Sequence, residues 1–375
     1  PPPQHKTPPP PTSTLRRSRR QRQMCIRDRF QDIACNQVEP FTRKHTQHST
    51  RLGDLLDNFD MVSTLGIPSD VSPHTSDLYS ALDMYANTSK PLVLLMSGDK
   101  QSRKVFDMLS FLHGDISEKP FCISYVNPIT PLVLNKATTD KMIAAIKHDL
   151  PLMFSNYSMY GGTSPVSEGG SLALLNAELL AGLVFGQLVK EGSKMILGSL
   201  PAAFNMKNMG SYYTPGSYLL NLACAEMMEF YEIPHCGTSG STSGRGAGLQ
   251  ASGNLWLNHL SSCMGKVGCV PFVGGNFDST VFSPTTVVLS NQIIGEAKEF
   301  ARGFVLDDKT VNLHEIDQVG HGGDYLTSEQ TLAEIENLKN KEEIWSSMSL
   351  DAWIQQEMPT AEKELIQYTQ DLYTR

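Results

Sequence analysis

A unit of one strand and one helix recurs along this chain, and that recurrence limits its possible folds more than any other feature. Short apolar runs begin near Met61 (MVSTLGIPSD), Pro91 (PLVLLMSG), Phe121 (FCISYVNP), Pro151 (PLMFSNYSMYGG), Lys194 (KMILGSLPAA), Ile233 (IPHCGTSGS) and Cys269 (CVPFVGGN), at spacings of 30, 30, 30, 43, 39 and 36 residues. Each run closes on Gly, Pro, Ser or Asn. Most lead into helix-period sequence, at 76–86, 100–112, 137–148, 171–189, 217–231, 252–264 and 286–302. Strands alternating with helices form a parallel sheet covered by helices, and near-continuous apolar strands belong to a sheet buried on both faces. An open doubly wound sheet or a closed barrel would satisfy this pattern. No strand–turn–helix junction carries G-x-G-x-x-G or G-x-x-x-x-G-K-[ST], which removes the main support for a nucleotide-binding open sheet. Seven successive units therefore predict an α/β fold of the (β/α)8 TIM-barrel type, with one strand unaccounted for. Residues 304–375 read as amphipathic helix (TLAEIENLKN, AEKELIQYTQDLY) and are expected to pack outside the barrel.

The first forty residues are a different kind of sequence. Seven of the first eleven are Pro, and the run Arg16-Arg17-Ser18-Arg19-Arg20-Gln21-Arg22 follows. Such a stretch is expected to be a disordered leader, 1–40, foreign to the domain that follows. It has no apolar h-region, so it is not a secretory signal. Eight Lys/Arg against three acids make it +5, which leaves −13 on residues 41–375 out of the chain's −8. An acidic body argues against nucleic acid as the ligand. The seven cysteines form no C-x-x-C and no zinc spacing, consistent with reduced thiols in a cytoplasmic protein. The most apolar stretch, 172–189, is broken by Asn176, Glu178 and Gln187 and reads as a buried helix, not a membrane span.

In barrels of this type the working groups lie at the C-terminal ends of the strands. Reading those ends gives Ser69 and Asp70; Ser97 and Asp99; Tyr125 and Asn127; Asn156, Tyr157 and Tyr160; Ser199; His235, Thr238 and Ser239; Asn276, Phe277 and Asp278. No strand carries the Lys of a Schiff-base aldolase. His235 is the single histidine of the set, too few for a hydrolytic zinc site. Nothing marks two of Asp70, Asp99 and Asp278 as a carboxylate pair; each also reads as an ordinary loop acid or helix cap. His235 has an equally ordinary reading as a loop histidine. The stretch Gly237–Gly244 could cradle an anion on its backbone N–H groups or be a plain flexible loop. Tyr125, Tyr157, Tyr160 and Phe277 would converge at the mouth as an aromatic cage for a quaternary ammonium does, though aromatics at strand ends also serve as core caps.

Several stretches resemble one known family. Gly161-Gly162-Thr163-Ser164-Pro165, followed by Gly170-Ser171-Leu172-Ala173-Leu174-Leu175-Asn176-Ala177-Glu178-Leu179-Leu180-Ala181-Gly182, is similar to the signature of the trimethylamine methyltransferase family. Gly66–Asp70, Asn87–Pro91, Leu249-Gln250-Ala251 and 319–326 (VGHGGDYL) agree in order, so the resemblance spans about residues 45–375. It implies a barrel, here N-terminally truncated and lacking its first strand, and a partner corrinoid protein whose Co(I) takes the substrate methyl. This chain would bind no cofactor or metal itself. The absence of pyrrolysine places it with the branch acting on quaternary amines such as betaines. Ser290-Asn291-Gln292 stands where acidic residues are expected, and His321 replaces a Pro.

The chemistry suits the inventory. A neutral tertiary amine leaves a quaternary ammonium without a general acid, so no catalytic side chain is assigned. Tyr125, Tyr157, Tyr160 and Phe277 would form the cage, with Gly161, Gly162 and Thr163 beside it. Asn127, Asn156, His235, Ser239 and Asn276 would hold the substrate's polar tail. The expected organisation is a leader at 1–40, a barrel at 41–303 and a helical extension at 304–375, in a cytoplasmic homo-oligomer with no nucleic-acid or membrane partner. A barrel homologue that binds or senses a methylated amine, or the corrinoid protein, without transfer is the alternative.

Overall fold

The computed structural model describes residues 27–207, 209–335, 344–345 and 347–374. Its strands are β1 (Arg29–Gln31), β2 (Val38–Pro40), β3 (Val62–Ser63), β4 (Leu92–Leu95), β5 (Cys122–Val126), β6 (Leu152–Tyr160), β7 (Met195–Asn205), β8 (Gly210–Tyr212), β9 (His235–Gly237), β10 (Gly275–Asn276) and β11 (Val281–Phe282). The helices that cover the sheet are α1 (Arg43–Leu55), α2 (Ser76–Asn87), α3 (Asp99–His113), α4 (Lys136–Lys147), α5 (Glu168–Val189), α6 (Pro215–Phe230), α7 (Leu249–Met264) and α8 (Pro284–Arg302).

The parallel sheet runs β3-β4-β5-β6-β7, β9 pairs with β7, and a parallel bridge from Cys236 to Cys269 adds a seventh position. All seven apolar runs read from sequence thus enter the barrel wall, and each of the seven predicted helices is present. Their ends have local causes. Asn135 caps α4 by accepting from the Thr138 amide (2.8 Å), and Thr214 with Pro215 starts α6. Gly114 and Gly303, at φ +94° and +66°, let the chain leave α3 and α8.

Two cores follow from strand parity. Inward residues Val93, Tyr125, Met153, Tyr157, Leu200 and Cys236 pack together inside the barrel. Outward residues Leu92, Leu94, Leu152, Phe154 and Leu197 join the larger core beneath the helices. Helix α5 lies on this outer layer, with Gly182 against the Phe154 ring and Gly186 against Met195. It is the one helix among the described residues long and apolar enough to cross a membrane. It is not buried all round as its sequence suggests: Leu175, Glu178 and Leu179 face inward, while Leu188 is 81% exposed.

The wall is open at one seam. Among the described residues no strand pairs with the outer edge of β3; instead the Phe272 amide donates to Ser63 Oγ (3.2 Å). A cavity of about 220 Å³, lined by apolar groups including Val62, Leu65, Val270 and Val287, lies along the seam. Among the described residues the barrel wall is thus one strand short here, matching the seven units counted in the sequence.

The leader expected at 1–40 is corrected in its last part. Strand β1 pairs in parallel with β11 and antiparallel with β2, forming a small sheet β10-β11-β1-β2. Phe30, 5% exposed, stacks on His45 at 3.9 Å and joins the main core. The Phe30 ring, with hydrogen bonds from Gln31 and Arg27 to the body, fixes this segment in place. The Pro-rich and basic stretch itself lies outside the described residues. Beyond α8, short helices α9 (Asp308–Val311), α10 (Leu313–Val319), α11 (Glu329–Glu334) and α12 (Leu350–Gln355) bury no residue. Helix α13 (Ala361–Tyr373) returns to the body, buries Leu365 and Leu372, and bonds Ser49 through the Tyr373 hydroxyl (3.3 Å).

Candidate active site

A cavity of about 750 Å³ opens at the C-terminal ends of β3 to β6. Leu95, Met96, Ser97, Asn127, Met159 and Thr163 line it, together with the 128–130 loop and the inner side of α4. Its floor is the interior core. Leu95 and Met159 pack against that core, and the Asn127 amide donates to the Tyr125 hydroxyl (3.3 Å) and to the Ser155 carbonyl (2.7 Å). The loop above is anchored from below: buried Glu178 accepts hydrogen bonds from Thr130 Oγ1 (3.0 Å) and from the Leu132 amide. Burial raises the Glu178 pKa, and these two donors oppose that shift.

The core beneath is aromatic. Tyr125, Tyr157, Tyr213, Tyr218 and Phe272 belong to it, each no more than 6% exposed. Tyr125 meets Phe272 edge to face at 4.9 Å, and Tyr213 stacks with Tyr218 at 6.5 Å. Ser239 Oγ donates to the Tyr213 hydroxyl (2.6 Å). Burial, with the field of Asp278, pushes the Tyr218 hydroxyl pKa up, and that hydroxyl has no hydrogen-bond partner among the described residues. Asp278 itself is raised by burial and accepts from Ser243 Oγ and the Tyr213 backbone. Three successive left-handed residues, Phe277, Asp278 and Ser279 (φ +49°, +55°, +73°), make the turn that sets its carboxylate against Ser243. These rings and Asp278 pack beneath the cavity and do not line it; Leu95 and Met159 stand between them and the opening.

The residues expected from sequence divide in two. Asn127 and Thr163 line the mouth, Tyr125 and Tyr157 belong to the core beneath it, and Ser239 bonds that core through Tyr213. The others do not join them. Asn156 and Tyr160 have the outward parity of Phe154, and Tyr160 bonds Thr214 Oγ1 at the start of α6. Asn156 is fully buried with neither side-chain polar atom partnered. His235 pairs in register with outward Leu197 and, among the described residues, also has no partner for its ring nitrogens; burial lowers its pKa to about 4. Asn276 is taken up by Gln31 (2.7 Å) and Thr286 (3.0 Å), so it tethers β1 and cannot hold a substrate tail. Phe277 is 40% exposed and does not line the cavity. Gly161 and Gly162 form the turn after β6: Gly161 has φ +82°, and a Cβ on Gly162 would lie 2.8 Å from the Phe204 ring.

The Gly237–Gly244 stretch is neither a flexible loop nor a free cradle. Ser239, Ser241 and Thr242 are fully buried. The Thr242 and Gly244 amides donate to the Gly275 carbonyl (2.9 Å) and Thr242 Oγ1 (3.0 Å), so those donors are engaged. Tyr213, Tyr218 and Phe272 escaped the sequence reading because two of them lie outside every apolar run. Asp278 was in view, but nothing local distinguished it from a loop acid.

Comparison with known proteins completes the description. The family model for trimethylamine methyltransferase matches residues 30–372. A trimethylamine methyltransferase of Desulfitobacterium hafniense is 24% identical over 296 residues, 78% of this chain and 60% of that protein. A glycine betaine methyltransferase of the same species is 24% identical over 317 residues, 82% of this chain and 66% of that protein. The chain thus spans under two thirds of the length of these curated relatives. Among solved structures, the monomethylamine methyltransferase of Methanosarcina barkeri superposes with a TM-score of 0.49 at 10% identity, covering 88% of this chain and 68% of that one. A match across nearly the whole described chain places it, by sequence, in the trimethylamine methyltransferase family.

Proposed function

We propose that this chain moves a methyl group from a small quaternary or methylated amine to the corrinoid of a partner protein. The observation that carries the reading is the mouth cavity above an aromatic core, in a chain whose relatives are named for trimethylamine and glycine betaine. When bound, the partner's reduced corrinoid supplies the nucleophile. The N–CH₃ bond breaks, its electron pair stays on nitrogen, and a neutral amine leaves without needing a proton. The chain's task is then to position: to hold one methyl toward the opening and exclude water, which contributes through orientation.

The floor suits that task. Leu95 and Met159, packed on the aromatic core, would take the cation without a tight ion pair in the ground state, whose charge disperses as the methyl departs. The rim offers an approach for the acceptor, because Ile129, Leu132 and Val133 of the 128–133 loop are exposed apolar groups beside the opening. The test is incubation of the chain with a reduced corrinoid protein and a panel of betaines and methylamines. Loss of the Co(I) absorbance with one of them is expected. No change with any of them overturns the reading, and binding without turnover would favour the non-catalytic homologue.

A further inference from the structure

The mouth cavity has the wrong charge for a bare cation. Its lining carries Arg27, Lys136 and Lys141 against the single carboxylate of Asp77. Lys136 is paired with Asp140 (2.7 Å) on its own helix. Arg27 is engaged by the Val273 carbonyl (3.2 Å), the Phe272 carbonyl and the hydroxyls of Ser241 and Ser279. Lys141 differs. It reaches in from α4, and its one described hydrogen bond goes to the Met96 carbonyl at the end of β4 (3.2 Å). Asp77, the acid whose field reaches it, already accepts from the Ser97 amide (2.8 Å) and hydroxyl (2.7 Å) through Oδ2. Burial lowers the Lys141 pKa, the mark of an ammonium short of compensation.

We infer that Lys141 recognises an anionic tail on the substrate, so that the mouth selects a methylated ammonium carrying a carboxylate a short chain away. This rests on reading the mouth as a methylated-amine site. The tail would lie at Lys141, and the N-methyl groups would sit over Leu95 and Met159, which line the same cavity above the aromatic core. Lys141 is then a specificity residue: it orients the zwitterion by its end that does not react, and it disfavours simple methylamines.

Calorimetric titration of the full chain with three probes tests this. Glycine betaine carries both charges, tetramethylammonium the cation alone, and 3,3-dimethylbutyrate the carboxylate on an uncharged carbon frame. Lys141→Met is expected to weaken glycine betaine and 3,3-dimethylbutyrate about tenfold or more, the range for a charge-assisted hydrogen bond. Tetramethylammonium should bind the variant unchanged or more tightly, which also shows that it is folded, and Lys141→Arg should restore much of the loss. If tetramethylammonium binds but Lys141→Met leaves glycine betaine unaffected, the inference fails and the methylated-amine reading stands. If neither cation binds the unaltered chain, that reading fails and the inference fails with it.

Discussion

The Asn127 side chain joins cavity to core: one amide nitrogen donates both to the Tyr125 hydroxyl (3.3 Å) and to the Ser155 carbonyl (2.7 Å). Asn127→Ala removes the donor from a buried carbonyl, and an unsatisfied buried group costs about 1–3 kcal/mol. We expect chemical denaturation to show a loss of that size and tetramethylammonium affinity to fall. Unchanged affinity with reduced stability would make Asn127 a purely structural residue.

Helix α5 meets the sheet through two glycines that differ in what they face. A Cβ on Gly182 would lie 2.3 Å from Phe154 Cε1, a fully buried ring, while one on Gly186 would meet Met195 Sδ at the same distance. Alanine gains about 1 kcal/mol of helix propensity at either site. Overpacking against a rigid ring costs about 1–3 kcal/mol, whereas a thioether moves aside. Gly182→Ala should therefore lower the melting temperature and Gly186→Ala should leave it near the original. Equal effects would show that the two faces yield alike.

The contrast between what the sequence showed and what it hid lies in parity. Seven short apolar runs at near-regular spacing, each closed by a breaker residue and most followed by helix-period sequence, specify strands, and all seven enter the wall. Which face each side chain takes is a finer matter. Strands buried on both faces carry apolar residues at every position, so the alternation that marks inside from outside is absent. Yet Tyr157 and Tyr160, three apart in one unbroken strand, lie on opposite faces, as do Asn156 and Tyr157. The cage expected from Tyr125, Tyr157, Tyr160 and Phe277 could not close for that reason. Tyr213 and Tyr218 complete the cluster from the β8–α6 corner, through long-range packing that carries no local sequence mark.

Two buried histidines make stability depend on acid. Burial lowers both His235 and His259 from 6.5 to about 4, so the folded state binds fewer protons than the unfolded chain between those values. Their stabilisation is full above pH 6.5 and lost as pH falls toward 4, roughly 3 kcal/mol for each. Urea midpoints at pH 7.5 and 5 should show the drop. His235→Leu should reduce the pH dependence and cost little at pH 7.5, since neither ring nitrogen has a partner. An unaltered slope in that variant would mean that His235 protonates freely in the folded state.

Glu178 ties the loop at the mouth to α5 through Thr130 and Leu132, so its removal should be felt at the cavity as well as in stability. Glu178→Ala leaves the Leu132 amide and Thr130 hydroxyl without their acceptor, at a cost of about 1–3 kcal/mol. Because the rest of the loop holds itself by the Ile129–Val133 pairing, the loss should be local. Hydrogen exchange should accelerate at 128–133 and remain unchanged on β6, and glycine betaine should bind more weakly without any change in which probe is preferred. Exchange accelerated equally across β6 would show instead that Glu178 supports the barrel wall and not the loop.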